Sequence, residues 1–315
     1  MVLLGNIFSL FIPNFCLKFM NKKWMMGMIS LGCLIACDNQ IEEDPVLENL
    51  AKVPLEVNVV ANSVEESGTK AMVSGTALPN GSNIGLRVVD SGNSTYNGVS
   101  YNNKKYSYNG SAWSTTNKLY LSTTSANIYA YYPYQDGTDM TTIPLDPASG
   151  NDYMYSASST ASISSPQVTL NMKHALAQVE ITLQKGSYTG TGSVTALTWS
   201  SASAGTGGTL NAIARTVTAS GAGTSFNSTI SSSAPQSIST RSTHNFIVVP
   251  SGSAAAPTFN VTMDGKTFTV NGASVNFVGG TKYTYTLQMD GKALTVSNVT
   301  VTNWASSSQG TLTPQ

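Results

Sequence analysis

The chain has 315 residues, and its 16 basic and 16 acidic residues give a formal net charge of zero. Charged residues make up only 10% of the sequence, against roughly 25% in ordinary soluble domains. A nucleic-acid-binding protein normally shows a basic excess or a basic stripe. This sequence has neither, so nucleic acid is excluded as an expected partner.

The first element of the chain is typical of a secretory signal peptide that is cut before Cys37. A basic segment at residues 20–23 precedes an apolar run at residues 24–35, and small residues stand at the cut. Residues 34–37 resemble a bacterial lipobox, in which the cysteine is lipidated and becomes the first residue of the mature protein. The apolar run has about a dozen residues, whereas a spanning helix needs roughly 20. We therefore expect residues 1–36 to be a signal peptide and Cys37 to carry a lipid.

The residues before Met20 form a second apolar patch, which has Pro13 in its middle. This arrangement favours Met20 as the true start of the protein. The alternative is a signal peptide with a long N-terminal region, and it leaves the expected cut at Cys37 unchanged.

Processing at Cys37 would change both the charge and the thiol content of the chain. All three cysteines lie at or before Cys37, so the mature domains have no thiol for a disulfide or a cysteine-ligated metal. Loss of the leader leaves 13 basic and 16 acidic residues, a formal charge of −3. We interpret the acidic, polar residues 37–54 as a lipidated tether. Its acidic cluster is similar to the signal that sends lipoproteins of some Gram-negative anaerobes to the outer face of the outer membrane; a solvated linker is the alternative.

The tether leads into a first strand and an exposed loop. Leu55, Val57 and Val59 alternate with polar residues, which predicts a half-buried strand. Residues 62–70, which end in Lys70, have the composition of an exposed loop.

The rest of the chain predicts short strands separated by turns. Apolar and polar residues alternate in many windows, and Asn109-Gly110 and Asp264-Gly265 mark hairpin turns. No convincing helical stripe occurs; at residues 174–183 the β-branched residues favour a strand. This pattern predicts an all-β chain of antiparallel β-sandwiches. Its length favours two in tandem, at residues 55–166 and 167–315, divided near Pro166.

The inventory of catalytic and metal-binding residues is thin. The two histidines, His174 and His244, are 70 positions apart, and neither a Gly-x-Ser-x-Gly turn nor metal-ligand spacing is present. Four aspartates supply oxygen atoms of the kind that calcium prefers, but their spacing fits no calcium loop: Asp136, Asp139, Asp146 and Asp152. A carboxylate pair for glycoside hydrolysis stays an alternative, although nothing marks one. We expect no enzyme activity, no catalytic residue, no metal site and no cofactor.

A group of aromatic residues has two interpretations. They are Trp113, Tyr129, Tyr131, Tyr132 and Tyr134. They could form a platform for stacking sugars, or their rings could be buried in the core or along a sheet edge. We favour the buried arrangement, because Pro133 ends the strand.

Several stretches in this order resemble the fimbrillin family, the major and minor pilins of type V pili. They are residues 69–71, 75–77, 130–134, 172–181, 283–287, 294–296 and 299–304, together with the lipobox. The resemblance spans the chain from Met20 onward. It implies two transthyretin-like sandwiches in a lipoprotein at the outer membrane and in the pilus, without catalysis of its own.

The resemblance also implies how such subunits assemble. A surface protease, typically arginine-specific, cuts behind the first strand, here the strand of Leu55, Val57 and Val59. That strand leaves, and a terminal strand of another pilin subunit fills the groove. The candidate cut site in this chain is Lys70, so a trypsin-like protease would be needed, or the subunit is never cut and acts as an anchor or cap.

The last strand is the candidate donor. Leu294 and Val296 share one phase of the alternation, whereas Val299 and Val301 share the opposite phase. The break between them lets one strand serve two partners, and an ordinary last strand with a β-bulge is the alternative. An alternative function for the whole chain is a surface lipoprotein that binds a host ligand or glycan without polymerising.

Overall fold

The computed structural model describes residues 53–61, 77–303 and 311–312. These residues fold almost entirely into β-strands, and the one helical element among them is a short 3-10 turn at Pro147–Ser149. None of them belongs to a helix that could cross a membrane. The predicted all-β fold class is confirmed.

The first eleven strands lie in the N-terminal half of this region. They are β1 (Val53–Pro54), β2 (Glu56–Ala61), β3 (Asn83–Val89), β4 (Tyr101–Tyr108), β5 (Trp113–Ser114), β6 (Tyr120–Leu121), β7 (Ala126–Tyr132), β8 (Ile143–Leu145), β9 (Met154–Ser156), β10 (Ser159–Ala161) and β11 (Gln167–His174). One sheet has the order β2-β11-β9-β7-β3-β4-β5, with β10 also paired to β7, and β1 pairs with β6. Its end strands, β2 and β5, contact each other, so this first sheet curls around its core.

The remaining strands build the C-terminal half. They are β12 (Ala177–Lys185), β13 (Ser193–Ser200), β14 (Ala204–Gly205), β15 (Gly207–Asn211), β16 (Thr216–Ser220), β17 (Phe226–Asn227), β18 (Gln236–Ser237), β19 (Ser242–Pro250), β20 (Thr258–Met263), β21 (Lys266–Asn271), β22 (Thr281–Asp290), β23 (Ala293–Asn303) and β24 (Thr311–Leu312). One sheet has the order β14-β19-β12-β22-β23-β24, and a second has the order β17-β13-β20-β21, with β18 on β13. Both sheets contribute side chains to one core, which makes this half a sandwich.

Two strand pairs depart from the expected antiparallel arrangement. β2 runs parallel to β11, and β12 runs parallel to β22. A parallel pair needs a long crossover between its strands. Here the crossovers are the intervening β-strands of each half, which no local alternation pattern predicts.

Three apolar clusters hold the structure together. The first core lies inside the curled sheet and includes Leu86, Ile128 and Leu170. The C-terminal core is centred on Trp199, whose ring stacks on Phe226 with the centroids 4.6 Å apart. The third cluster, which we call the junction core, takes residues from both halves: Tyr131, Met140, Ile143, Leu145, Tyr153, Ala175, Leu176, Leu210, Ala212, Ile247 and Val249.

The two halves also share a sheet. β8 pairs antiparallel with β15, which pairs with β16, so a strand from the N-terminal half extends a hairpin of the C-terminal half. The first sheet also takes in β11, which begins at Gln167. The division into domains at residues 55–166 and 167–315 stays a prediction.

We predict that the junction core makes a large contribution to stability. Leu210 on β15 is fully buried in it, and truncation of a buried leucine costs about 2–5 kcal/mol. Leu210→Ala should therefore lower the free energy of unfolding by about that amount in urea titrations followed by tryptophan fluorescence. Thr209→Ala, at an exposed position on the same strand, is the matched control and should change it little. Equal losses in both variants would contradict this role of the junction core.

Candidate functional site: the first strand and the last strand

The first strand lies at the edge of its sheet. Among the described residues, β2 is paired on one side only, to β11, in the register that places Val57 opposite Val168 and Val59 opposite Leu170. The chain is also held where β2 begins: β1 pairs with β6, Leu55 N donates to Leu119 O at 2.8 Å, and Glu56 N donates to Pro166 O at 3.0 Å. An edge strand of this kind is attached by a single ladder of hydrogen bonds.

The same strand closes the first core. Leu55 and Val59 are each 6% exposed, Ala61 is fully buried, and Val57 packs against them from a partly buried position. Full burial of a valine or leucine side chain is worth roughly 1.5–3 kcal/mol. Removal of β2 would therefore expose both an apolar core and the unpaired edge of β11.

A groove separates β2 from the other end of the sheet. It has a volume of about 460 Å³ and is lined by Leu55 and Val57 on one side and by Tyr106 and Trp113 on the other. Since β2 and β5 are the two end strands of the sheet, the place of β2 is bounded by a strand edge on each side.

The last long strand lies within its own sandwich. β23 pairs antiparallel with β22, from Ala293 opposite Asp290 to Asn303 opposite Thr281. Its other edge pairs with β24 at Val299 and Thr300. The candidate donor strand is thus an integral part of the C-terminal half in this structure.

A β-bulge explains the change of phase within β23. The register shifts at Ser297, whose hydroxyl donates to Thr286 O at 3.2 Å. The extra residue turns the side chains that follow it onto the same face of the strand as the apolar side chains before it. Leu294 and Val299 are consequently both buried in the C-terminal core, and Val296 and Val301 both pack against it. In this structure β23 is thus a last long strand with a β-bulge. Its role as a donor strand stays a prediction.

Two of the sequence-based site residues cannot be placed. Cys37, the expected lipidation site, and Lys70, the expected cut site, lie outside the described residues. Their roles stay predictions.

The aromatic residues do not form one platform. Tyr131 is fully buried and belongs to the junction core, against which Tyr129 also packs. Tyr132 and Trp113 pack instead against the first core. Trp113 stacks on Tyr108, with the ring centroids 5.1 Å apart. The buried arrangement therefore describes Tyr131 fully and Trp113, Tyr129 and Tyr132 in part, whereas the half-buried Tyr134 donates to Asp136 at the surface.

The four aspartates also do not form one site. No group of three or more metal-ligating side chains occurs among the residues that the structure describes. Asp136 accepts a hydrogen bond from Tyr134, Asp139 accepts two from Thr141, and Asp146 caps the 3-10 turn. Each of these carboxylates therefore holds its own turn.

The fourth aspartate forms a buried pair that the sequence did not reveal. Asp152 is 1% exposed and His174 is 4% exposed, and His174 Nδ1 lies 2.8 Å from Asp152 Oδ2. The pair stands beside the junction core, at the start of β9 and the end of β11. The two residues are 22 positions apart in the sequence, and only the pairing of β9 with β11 brings them together.

His244 has a different environment. It lies on β19 opposite Ile181 and is 9% exposed, and its Nε2 atom has no hydrogen-bond partner among the described residues. Burial holds the pKa of its imidazole below the ordinary value of 6.5, because the charged form loses its hydration. Neither histidine is placed beside a nucleophile or a metal ligand set in the described structure.

Similarity to known proteins identifies the family of this chain. The model of the family described as fimbrillin-like matches residues 69–304, about three quarters of the chain. The chain belongs to the fimbrillin-like family. No protein of curated function matches the chain in sequence.

Solved structures share the fimbrillin-like fold. A candidate cell adhesion protein of Bacteroides ovatus is 19% identical, with a TM-score of 0.60, and the match covers 81% of this chain and 98% of that one. A second, of Bacteroides uniformis, is 21% identical with the same TM-score and coverage. A third, of Parabacteroides distasonis, is 15% identical with a TM-score of 0.51, over 82% of this chain and 99% of that one. At these identities the likeness shows the fold.

We predict that His244 makes the fimbrillin-like fold less stable in mild acid. Because its pKa is lower in the folded state, the unfolded chain binds more protons below pH 6.5. The stability that depends on neutral His244 is present above pH 6.5, and the free energy of unfolding should fall as the pH drops below that value. Urea titrations at pH 7.5, 6.5 and 5.5 measure this slope, and His244→Gln should flatten it. An unchanged slope in that variant would assign the effect to other groups.

Proposed function

We propose that this fimbrillin-like protein is a pilus subunit or pilus-associated lipoprotein that assembles by donor-strand exchange. Family membership supports the role of a pilus subunit or adhesin at the cell surface and points to a structural, non-enzymatic protein. The observation that carries the proposal is the place of β2. It is an edge strand, paired on one side, and it covers the core from which a replacement strand would have to exclude water.

The proposal assigns a role to each end of the chain. A lipid on Cys37 anchors the precursor to the outer membrane, and a trypsin-like surface protease cuts after Lys70. Residues 37–70, which include β2, then leave as one segment. The vacated place exposes the edge of β11 and the first core, and a strand from another pilin subunit recovers both by β-augmentation.

The length of β2 indicates which part of β23 suits the vacated place. β2 has six residues and β23 has eleven. The bulge at Ser297 divides β23, and residues 298–303 form a segment of the same length as β2 with apolar side chains at Val299 and Val301. We therefore assign the donor role to this outer segment. In the monomer its Val299 is buried in the C-terminal core and its Val301 packs against it, so on donation both would leave that core for the groove of the next subunit, while Leu294 and Val296 keep their places.

Limited trypsin digestion tests the processing step. We expect cleavage after Lys70, a new N-terminus at Ala71, and a ladder of stable oligomers in size-exclusion chromatography and gel electrophoresis. Lys70→Gln should stay uncut at this position and monomeric. Lys52→Gln, a lysine on the other side of β2 in the sequence, should behave as the wild type. A wild-type chain that is cut after Lys70 and stays monomeric would overturn assembly by strand exchange.

A synthetic copy of the first strand tests the groove. An excess of a peptide with the sequence of residues 53–61 should refill the place of β2 in cut subunits and stop the growth of the ladder. The matched control replaces Leu55, Val57 and Val59 by serine, and should have no effect because the apolar burial is lost.

A second peptide tests the assignment of the donor. A peptide of residues 297–303 should stop growth in the same way, and the same peptide with Val299 and Val301 replaced by serine should not. If the first-strand peptide blocks assembly and the residue 297–303 peptide does not, the donor is a different segment.

A further inference from the structure

Arg87 occupies an unusual place on the outer face of the first sheet. Its neighbours Leu86 and Val88 on β3 point into the first core, whereas Arg87 is partly exposed on the opposite face. Leu86 pairs with Lys104 and Val88 pairs with Tyr101. Arg87 therefore faces two residues of β4, Asn102 and Asn103, across a β-bulge. Bulges of this kind redirect side chains and are frequent beside functional sites.

The bulge is held in place by a partly buried network of hydrogen bonds. Asn103 has a φ of 56°, its Nδ2 donates to Gln135 O at 2.8 Å, and its Oδ1 accepts from the Tyr131 hydroxyl at 2.8 Å. Burial raises the pKa of Tyr131, so its hydroxyl stays a hydrogen-bond donor. The Tyr131 ring also fills the space above Gly85, where a side chain would collide with it. The backbone around Arg87 is thus fixed by contacts on the same face of the sheet as Arg87 itself.

The loop between β3 and β4 is also fixed. Tyr96 is fully buried; its hydroxyl donates to Thr124 O and accepts from Ser122 N, both at 2.9 Å. At the start of the loop, Asp90 Oδ1 accepts hydrogen bonds from the backbone of Gly92 and Ser94, both at 2.8 Å. A loop that is ordered before a ligand arrives loses less entropy on binding.

Between this loop and Arg87 lies a groove of about 460 Å³. Its lining is polar and includes Arg87, Asn93, Thr95, Ser100, Tyr101 and Asn102. The volume falls within the range of small-molecule sites, about 300–1,000 Å³. It is separate from the groove beside β2, whose lining comes from β2, β5 and the end of β4.

The guanidinium of Arg87 makes no hydrogen bond or ion pair with any residue in the described ranges 53–61 and 77–303. Hydrogen bonds from Thr141 are the main cause that lowers the pKa of Asp139, and the charge of Arg87 lowers it further. Asp139 is nevertheless engaged by Thr141 and forms no ion pair with Arg87. The donors of Arg87 are thus free for a ligand in the groove.

We propose that this groove binds a sugar that carries a carboxylate. The planar fork of an arginine matches a carboxylate with two parallel hydrogen bonds. Amide and hydroxyl side chains such as Asn93, Ser100 and Asn102 both donate and accept, as the hydroxyl groups of a sugar do. Within the described part of the chain, Arg87 is the one cation that lines the groove, and its charge already acts on the carboxylate of Asp139, which suits a ligand with one negative charge, not a polyphosphate or nucleic acid. The site is independent of strand exchange and would give a pilus subunit an adhesive specificity of its own.

The test uses sugars with and without the charge. The probes are the methyl glycosides of glucuronic, galacturonic and N-acetylneuraminic acid, each paired with its own carboxylate methyl ester. NMR titration should show saturable binding of at least one acid, at least tenfold weaker binding of its ester, and weaker binding at high salt. Equal binding of acid and ester, or no binding of any of the three acids, would overturn the proposal.

Variants of the protein distinguish binding in the groove from nonspecific attraction between opposite charges. Arg87→Gln should weaken binding at least tenfold, and Arg87→Lys should weaken it less, because the charge remains without the fork. Ser100→Trp should also reduce binding at least tenfold, since it fills the groove while Arg87 remains. Arg241→Gln makes the same charge change at an exposed position before β19 and should bind as the wild type. Equal losses in the Arg87→Gln and Arg241→Gln variants would also overturn the proposal, and unfolding curves establish that each variant is folded.

Discussion

The parallel pairing of β2 with β11 is the constraint on which the N-terminal half depends. Gln167 on β11 donates to Glu56 on β2 at 2.6 Å, although the two residues are 111 positions apart. Every other strand of the first sheet lies between them in the sequence. β2 therefore pairs with the strand that comes last in the sequence among those of the sheet, and it covers one side of the first core. A strand with that position is also the one whose removal leaves the remaining pairs of the sheet intact.

Local alternation predicted the elements that depend on neighbouring residues. The first strand and the hairpin at Asp264-Gly265 are present, since each is determined by side-chain phase or by turn chemistry within a few positions. The pairing of β8 with β15 was not predictable from either strand alone. The pair of Asp152 and His174 was missed for the same reason, because burial of two polar residues leaves no periodic signal.

The bulge in β23 shows how one extra residue changes the face on which the following side chains lie, and the bulge in β4 shows how it changes which residues meet across a sheet. In β23, the apparent opposite phases of Leu294 and Val299 belong to one face, because Ser297 is added between them. In β3, the neighbours of Arg87, Leu86 and Val88, are buried in the first core. The strand is buried on one side, but Arg87 lies on the other side and opposite the bulge in β4. A single extra residue shifts the facing of all that follow it in β23, and the two residues of β4 that lie opposite Arg87 are identified only by the pairing of the folded chain.

Tyr131 connects the architecture to the Arg87 groove. Its ring belongs to the junction core, which takes residues from both halves of the protein. Its hydroxyl holds Asn103 in the left-handed conformation that shapes the bulge opposite Arg87. The contact between the halves and the outline of the groove therefore depend on the same side chain. A change that loosens the junction core would also release Asn103, whereas the place of β2 is separated from this network by β11 and β9 on one side and, around the curled sheet, by β5 on the other. Removal of β2 during assembly would accordingly leave the groove in its binding shape.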